Sequence, residues 1–166
     1  TVYLIPSIID KKGIEVIPGY IVEAVKRCSV FFVENERTAR RYLKRIWKDM
    51  VIDDYEWYDI HKAEESVKSD FIRALNQNKT VGIISEAGCP GIADPGQILV
   101  SAAQHSGALV KPLVGPNSII LALMASGMNG QHFRFTGYLP IDLAGRTKAI
   151  KAMENEALVK QCTQIF

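Results

Sequence analysis

The sequence lacks paired cysteines, long apolar runs and a strong excess of charge of either sign. Its cysteines, Cys28, Cys89 and Cys162, are far apart and form no Cys-x-x-Cys pair, so neither a disulfide framework nor a cysteine-rich zinc site is expected. No apolar run reaches the roughly 18 residues of a membrane span, and no signal peptide is visible. We therefore expect a cytoplasmic protein without a membrane anchor or a bound metal. The net charge of +2 is too small to indicate a partner.

Phosphate-binding glycine motifs are also missing. The sequence contains neither a Gly-x-x-x-x-Gly-Lys loop nor a Gly-x-Gly-x-x-Gly fingerprint, so a nucleoside triphosphate is not the expected ligand. The 166 residues are 48% hydrophobic and 23% charged, which is typical of a globular protein and not of a disordered one. This length suits one domain, or one domain with part of a second.

Short apolar runs alternate along the chain with longer helical patterns. Strands are predicted at residues 2–5, 30–33, 81–84 and 108–113 and, more weakly, within 51–60. Helices are predicted at residues 18–26, 36–48, 66–75, 95–106, 118–126 and 145–156. Five strand–helix units in succession predict an α/β fold with a mainly parallel five-stranded sheet and helices on both faces.

The composition changes near Gly130. Residues 133–140 are rich in aromatic side chains and are interpreted as a connector, not as a sixth strand–helix unit. Residues 163–166 resemble a strand that has only begun. We therefore predict a first α/β domain at residues 1–136, with the cofactor loops described below. Residues 137–166 would form a connector and the beginning of a second, incomplete α/β domain, whose remainder is absent from this sequence.

The segment between the fourth predicted strand and the next helix carries the most information. It contains Gly88, Pro90 and Gly91 and little side-chain bulk. Such a loop lets backbone N–H and C=O groups approach a ligand at the carboxyl end of a strand, where open α/β sheets bind small molecules. Asp94 is expected to cap the following helix, with Pro95 in its first turn. The alternative is an ordinary tight strand–helix connection.

Two further loops should lie at the same edge of a parallel sheet. They span residues 6–9, after the first strand, and residues 114–117, after the fifth. Their side chains are small or apolar and include no lysine in these ranges. The three loops together predict a crevice of backbone polar groups and apolar walls, suited to a neutral or weakly cationic ligand with a flat, adenine-like part.

Cationic side chains are concentrated on the predicted helix 36–48. Arg37, Arg41, Lys44 and Lys48 fall at helical spacing on one face, which would suit contacts with the phosphates of a nucleic acid. The alternative is a solvated helix face, which is the commoner meaning of a run of charge.

Five motifs follow one another in the order and at the spacing of a known family. They are Tyr3-Leu4-Ile5-Pro6, Val33-Glu34-Asn35 with Arg37, Ser85-Glu86-Ala87-Gly88-Cys89-Pro90 with Asp94-Pro95-Gly96, Pro112-Leu113-Val114-Gly115-Pro116, and Gly137-Tyr138-Leu139-Pro140. With them the chain resembles the tetrapyrrole (corrin/porphyrin) methylase superfamily. Within it, the chain is most similar to the branch of small-subunit ribosomal RNA ribose 2′-O-methyltransferases.

The resemblance implies S-adenosylmethionine as the cofactor, held in a cleft between two α/β domains, usually in a homodimer. This chain would supply the first domain. The implied cofactor-binding residues are Pro6, Ser7, Ile8, Gly88, Cys89, Pro90, Ile92, Gly115, Pro116, Ser118 and Ile119. The implied substrate-binding residues are Glu34, Arg37, Arg41, Lys44 and His61. No catalytic residue is identified, although Glu34, Glu86 and His61 are candidate general bases.

The chain departs from this branch at several polar positions. Residues 7–11 read Ser-Ile-Ile-Asp-Lys where the branch usually has Thr-Pro-Ile-Gly-Asn, and Glu86 and Cys89 replace an aspartate and a threonine. The first functional hypothesis is methylation of a ribose hydroxyl, with ribosomal RNA or the small ribosomal subunit as partner. The alternatives are a tetrapyrrole methyltransferase and a cofactor-binding module without catalysis.

Overall fold

The computed structural model describes residues 1–60 and 64–166, which divide into two compact units, Thr1–Asn117 and Ser118–Phe166. The strands of the first unit are β1 (Val2–Ile5), β2 (Val30–Val33), β3 (Glu56–Asp59), β4 (Val81–Ile84) and β5 (Val110–Pro112). Its helices are α1 (Ile21–Arg27), α2 (Glu36–Ile46), α3 (Glu64–Asn76) and α4 (Gln97–His105). The second unit contains α5 (Ser118–Ser126), β6 (Phe133–Phe135), α6 (Leu143–Lys160) and β7 (Thr163–Ile165). The domain division expected after residue 136 stays a prediction.

The strands of the first unit form one parallel sheet in the order β3-β2-β4-β1-β5. Val81 of β4 lies between Val2 of β1 and Val30 of β2, which fixes the register at the centre of the sheet. Pro112 lies in the edge strand β5, where the missing N–H group costs no hydrogen bond to a further strand. The predicted five-stranded parallel sheet is confirmed.

Helices cover both faces of this sheet, as predicted. One core cluster joins the buried residues of α1 and α2 to alternate residues of the strands, including Phe31. The other joins α3 and α4 to the residues of opposite orientation, including Phe32. Successive strand residues point to opposite faces, so Phe31 stacks on Trp57 at 4.9 Å on one side and Phe32 stacks on Tyr58 at 4.7 Å on the other. All four residues of β2 and of β4 are buried, because both faces are covered.

Most helix bounds shift by a few residues from their predicted positions, and at two helix ends the prediction for a named residue is wrong. The expected N-cap at Asp94 is wrong: α4 begins at Gln97, and its N-cap is Gly96, whose φ of 122° few other residues adopt. The expected place of Lys48 on the basic helix is also wrong. Helix α2 ends at Ile46, because Trp47 turns to an extended conformation while its N–H still donates to the carbonyl of Leu43.

The second unit is a strand–helix–strand arrangement. Strands β6 and β7 are parallel, and Phe133 lies opposite Thr163. The interpretation of residues 133–140 as a connector is therefore wrong for 133–135, which form β6. Helix α6 begins after Asp142, whose carboxylate accepts a hydrogen bond from the N–H of Gly145 at 2.7 Å. Within residues 1–60 and 64–166, no helix has both the length and the apolar character needed to cross a membrane.

Candidate functional site

The loops after β1 and β4 are hydrogen-bonded to each other. The backbone N–H of Ser7 donates to the carbonyl of Gly88 at 2.8 Å, and the two residues form a single antiparallel bridge. The hydroxyl of Ser7, which is buried, donates to the carbonyl of Ser85 at 3.0 Å. These bonds satisfy buried polar groups and fix the two loops at the same edge of the sheet.

The loop after β5 reaches the same place. The thiol of Cys89 lies 3.5 Å from the carbonyl oxygen of Pro116 and 3.9 Å from that of Gly115. Gly88 has a φ of 69°, and a Cβ atom at this position would lie 3.4 Å from the oxygen of Pro116. A Cβ atom on Gly115 would lie 2.1 Å from the Cβ of Pro6, so these two loops meet without room for a side chain. All three predicted loops are therefore in contact.

An apolar cavity of about 460 Å³ opens beside these loops, a size within the usual range of small-molecule sites. Cys89, Pro90 and Ile92, three of the predicted cofactor-binding residues, line it. Gln97 and Ser101 contribute its polar side chains. The remaining lining residues are Leu4, Gly91, Val100, Pro112 and Leu113. A flat, mostly apolar ligand could bury much of its surface here.

Four further residues belong to the predicted set. Ile8 is half-buried and packs against the core cluster under α1 and α2. Ser118 and Ile119 are the first two residues of α5, in the second compact unit. His61 lies outside the described residues. For these four residues, as for all the others in the predicted set, a role in binding stays a prediction.

Two of the candidate bases are linked through the backbone. A carboxylate oxygen of Glu34 accepts a hydrogen bond from the N–H of Glu86 at 2.8 Å, and a carboxylate oxygen of Glu86 accepts one from the hydroxyl of Thr38 at 2.9 Å. The N–H of Glu34 donates to the carbonyl of Ile84 at 3.0 Å. This chain of contacts ties the start of α2 to the loop after β4. Sequence reasoning missed Thr38, because no local signal pairs it with a residue 48 positions away.

A third carboxylate, Asp94, belongs to the same neighbourhood. Burial raises the pKa of Asp94, the charges of Glu34 and Glu86 raise it further, and a hydrogen bond from Ser85 opposes them. The side chain expected to cap a helix thus faces two other carboxylates. Sequence reasoning missed this role, although carboxylates that follow adjacent parallel strands are a usable signal. Burial is also the main cause that raises the pKa of the Cys89 thiol, which favours its neutral form.

The predicted basic stripe is only partly available for a ligand. Arg37 and Arg41 are exposed on α2 and form no ion pair with the part of the chain that the structure describes. The ammonium group of Lys44 donates to the carbonyl of Met50 at 2.9 Å, so it also holds the chain that follows the helix. Lys48 lies beyond the end of α2. Two arginines therefore remain as exposed cations on this face.

Comparison with known proteins identifies relatives along most of the chain. The chain is 30% identical over 155 residues to "Ribosomal RNA small subunit methyltransferase I" of Micromonospora olivasterospora. The matched region covers 93% of this chain and 48% of the relative. It is 28% identical over 151 residues to the protein of the same name from Halalkalibacterium halodurans, covering 91% and 50%. With the Escherichia coli O157:H7 protein of that name, identity is 37% over 100 residues, covering 60% and 35%.

The chain thus spans half or less of the length of these curated relatives. No protein-family model matches it. Among solved structures, a uroporphyrin-III-C-methyltransferase from Thermus thermophilus has a similar fold, with a TM-score of 0.55 and 16% identity over 81% of this chain and 58% of that one.

The sequence motifs, the parallel sheet and these relatives are consistent with one another. The chain is similar in sequence to proteins named ribosomal RNA small subunit methyltransferase I, and its fold is similar to that of a uroporphyrin-III-C-methyltransferase.

Proposed function

We propose that the protein is an S-adenosylmethionine-dependent methyltransferase that methylates a ribose 2′-hydroxyl of small-subunit ribosomal RNA. The observation that carries this proposal is the contact of three side-chain-poor loops beside an apolar cavity at the carboxyl edge of the sheet. The names of the relatives support the substrate class. A ribosomal substrate also favours a cytoplasmic protein, and we expect a homodimer.

The groups that line the site fit S-adenosylmethionine. Apolar walls and carbonyl dipoles suit an adenosyl group and a sulfonium, whereas residues 6–9, 85–94 and 114–117 include no lysine for a phosphate chain. Cys89, Pro90 and Ile92 would contact its ribose and methionine parts. Pro6, Ser7 and Ile8 would form the floor, and Gly88, Gly115 and Pro116 would allow close backbone approach. Ser118 and Ile119 would contact the adenosine.

When bound, this cofactor supplies an electrophilic methyl group that is transferred by in-line displacement, without a covalent intermediate on the protein. The contribution of the chain would be to hold the acceptor oxygen in line with the methyl carbon, beside the apolar cavity. Alignment is therefore the main expected source of the rate acceleration.

A ribose hydroxyl also benefits from a general base. Glu34 and Glu86 are the candidate carboxylates in the described part of the chain, and each already accepts one hydrogen bond within the protein. On the substrate side we assign Glu34, Arg37, Arg41, Lys44 and His61, the cations among them serving the RNA phosphates. The catalytic residue itself is not assigned.

Methyl transfer from radiolabelled S-adenosylmethionine tests this function. The acceptors are small ribosomal subunits that lack the modification, fully modified subunits as the control, and a uroporphyrin-type tetrapyrrole. We expect label in the RNA, in an alkali-resistant dinucleotide that marks a 2′-O-methyl group. Label in the tetrapyrrole alone would contradict the RNA assignment, and cofactor binding without transfer to either acceptor would indicate a binding module.

A further inference from the structure

Helix α2 carries a row of arginines along one face. Arg37, Arg41 and Arg45 follow one another at intervals of four residues, so they lie above one another, about 6 Å apart along the helix axis. The first two are exposed cations. Arg45 donates from its guanidinium to the backbone carbonyl of Lys11 at 2.9 Å. The C-terminal end of the row is thus hydrogen-bonded to the loop that follows β1.

That loop presents two further cations from an ordered turn. The N–H of Lys12 donates to the carboxylate of Asp10 at 3.0 Å, and the N–H of Gly13 donates to the carbonyl of Asp10 at 2.9 Å. Both Lys11 and Lys12 are exposed. A second bond, from the hydroxyl of Tyr42 to the carbonyl of Pro6 at 2.6 Å, fixes α2 to the start of the same loop. The lysine pair and the arginine row therefore form one surface on two elements.

We define the basic surface as Lys11, Lys12, Arg37 and Arg41. Two carboxylates near this surface already have partners within the protein. Glu36 pairs with Arg40 at 2.5 Å, and Asp10 accepts a backbone hydrogen bond inside the turn. The four cations form no ion pair within the described residues. Their charge is consequently open to a ligand and is partly compensated by the carboxylate of Asp10.

The basic surface begins beside the candidate site. Thr38, one residue after Arg37, donates to Glu86 in the loop after β4, and the surface extends from there along α2 to the lysine pair. We propose that this surface binds the phosphate backbone of an RNA strand whose reacting nucleotide lies at the loops. Lys11 and Lys12 thereby join Arg37 and Arg41 as phosphate contacts, with Arg45 as the residue that positions their loop. This inference rests on the proposed function.

A charge-reversed variant tests the surface. Lys11→Glu with Lys12→Glu is compared with Lys148→Glu and Lys151→Glu, an exposed pair on α6 that carries the same change of net charge. The probe is a fluorescein-labelled transcript of small-subunit ribosomal RNA, and its affinity is measured by fluorescence anisotropy over a series of salt concentrations. We expect the first pair to weaken binding by about tenfold at low salt and to lower the slope of log affinity against log salt by about 1.4. The control pair should change neither.

Equal loss in both pairs, or no loss in the first, would overturn the proposal. The native protein is also tested for binding to vesicles of anionic lipid and to polyglutamate. If the Lys11/Lys12 variant loses this binding while its RNA affinity is unchanged, the surface belongs to a different partner and the proposal is overturned. Circular dichroism of each variant checks the fold. Selective loss of RNA affinity without methyl transfer by the native protein would support the surface and contradict the proposed function. Methyl transfer by the native protein, together with unaltered RNA affinity in the Lys11/Lys12 variant, would support the proposed function and contradict the surface.

Discussion

At the scale of single residues, the site depends on positions where a side chain is absent or is held away from water. Gly88 adopts a φ of 69° between two loops, and Gly115 faces the ring of Pro6. Asp94 shares its surroundings with two other carboxylates, Glu34 and Glu86. Each of these features makes the loop geometry sensitive to one substitution.

Gly88→Val places a β-branched side chain in a left-handed conformation and brings its Cβ into van der Waals contact with the oxygen of Pro116. The backbone conformation alone should lower the free energy of unfolding by about 1–2 kcal/mol, measured by urea denaturation. We also expect loss of S-adenosylhomocysteine binding, because the added carbons block the approach of the backbone to the ligand.

Gly107→Val is the matched control for this variant. Gly107 has a similar φ of 67°, but a Cβ there meets nothing within 4 Å. The control should lose a similar free energy of unfolding and keep its ligand affinity. Equal ligand affinity in Gly88→Val and Gly107→Val would contradict the assignment of the loop.

Asp94→Asn tests the group of carboxylates by pH. Because the pKa of Asp94 is raised in the folded state, the folded chain binds more protons than the unfolded chain just above the ordinary value of 3.8. The stability contributed by this carboxyl is therefore present at low pH and is lost as the pH rises through the raised pKa. Relative to the native chain, the variant should gain free energy of unfolding at pH 7 and gain none at the acid end. A difference independent of pH, in urea denaturation at both values, would argue against this assignment.

At the scale of elements, α2 connects two of the three loops, those after β1 and β4, to the basic surface. Asn35 caps its first turn, where the side-chain oxygen accepts from the N–H of Thr38 at 3.1 Å. The hydroxyl of Thr38 then reaches Glu86, while Tyr42 and Arg45 reach the loop after β1. A change at the start of this helix should therefore be felt at the site.

Asn35→Ala removes the cap of α2 and should lower the free energy of unfolding by about 1 kcal/mol, as measured in urea. It should also shift the amide resonance of Glu86, because Thr38 loses the side-chain partner that orients it. Asp142→Ala, which removes the cap of α6, is the control and should leave the Glu86 resonance unchanged. An unchanged free energy of unfolding in Asn35→Ala would show that this cap contributes nothing.

Element by element, the sequence predicted well what local patterns determine. The apolar runs 30–33 and 81–84 form central strands, since four consecutive apolar residues fit a sheet covered on both faces. Distant contacts decided the rest. Asp94 resembles a helix cap, but its charge interacts with Glu34, which follows β2, and with Glu86 of its own loop. Residues 133–135 form a strand because of a partner 30 positions further along the chain, which no local pattern indicates.

At the scale of the whole molecule, the described chain corresponds to about half of relatives such as the Micromonospora protein. Family resemblance implies a cofactor cleft between two domains, so we expect this chain alone to bind the cofactor weakly. Weak binding can still be measured by nuclear magnetic resonance, because amide resonances shift on binding ligands of millimolar affinity. Tight binding by this chain would contradict the expectation that a second domain completes the cleft.

We propose above that the three loops at the carboxyl edge of the sheet bind S-adenosylmethionine. The most direct test of this proposal is a titration of the isotopically labelled chain with S-adenosylhomocysteine, followed by the amide resonances. We predict saturable shifts concentrated at residues 6–8, 85–92 and 115–119. Shifts concentrated elsewhere, or no shift at millimolar ligand, would contradict binding at these loops.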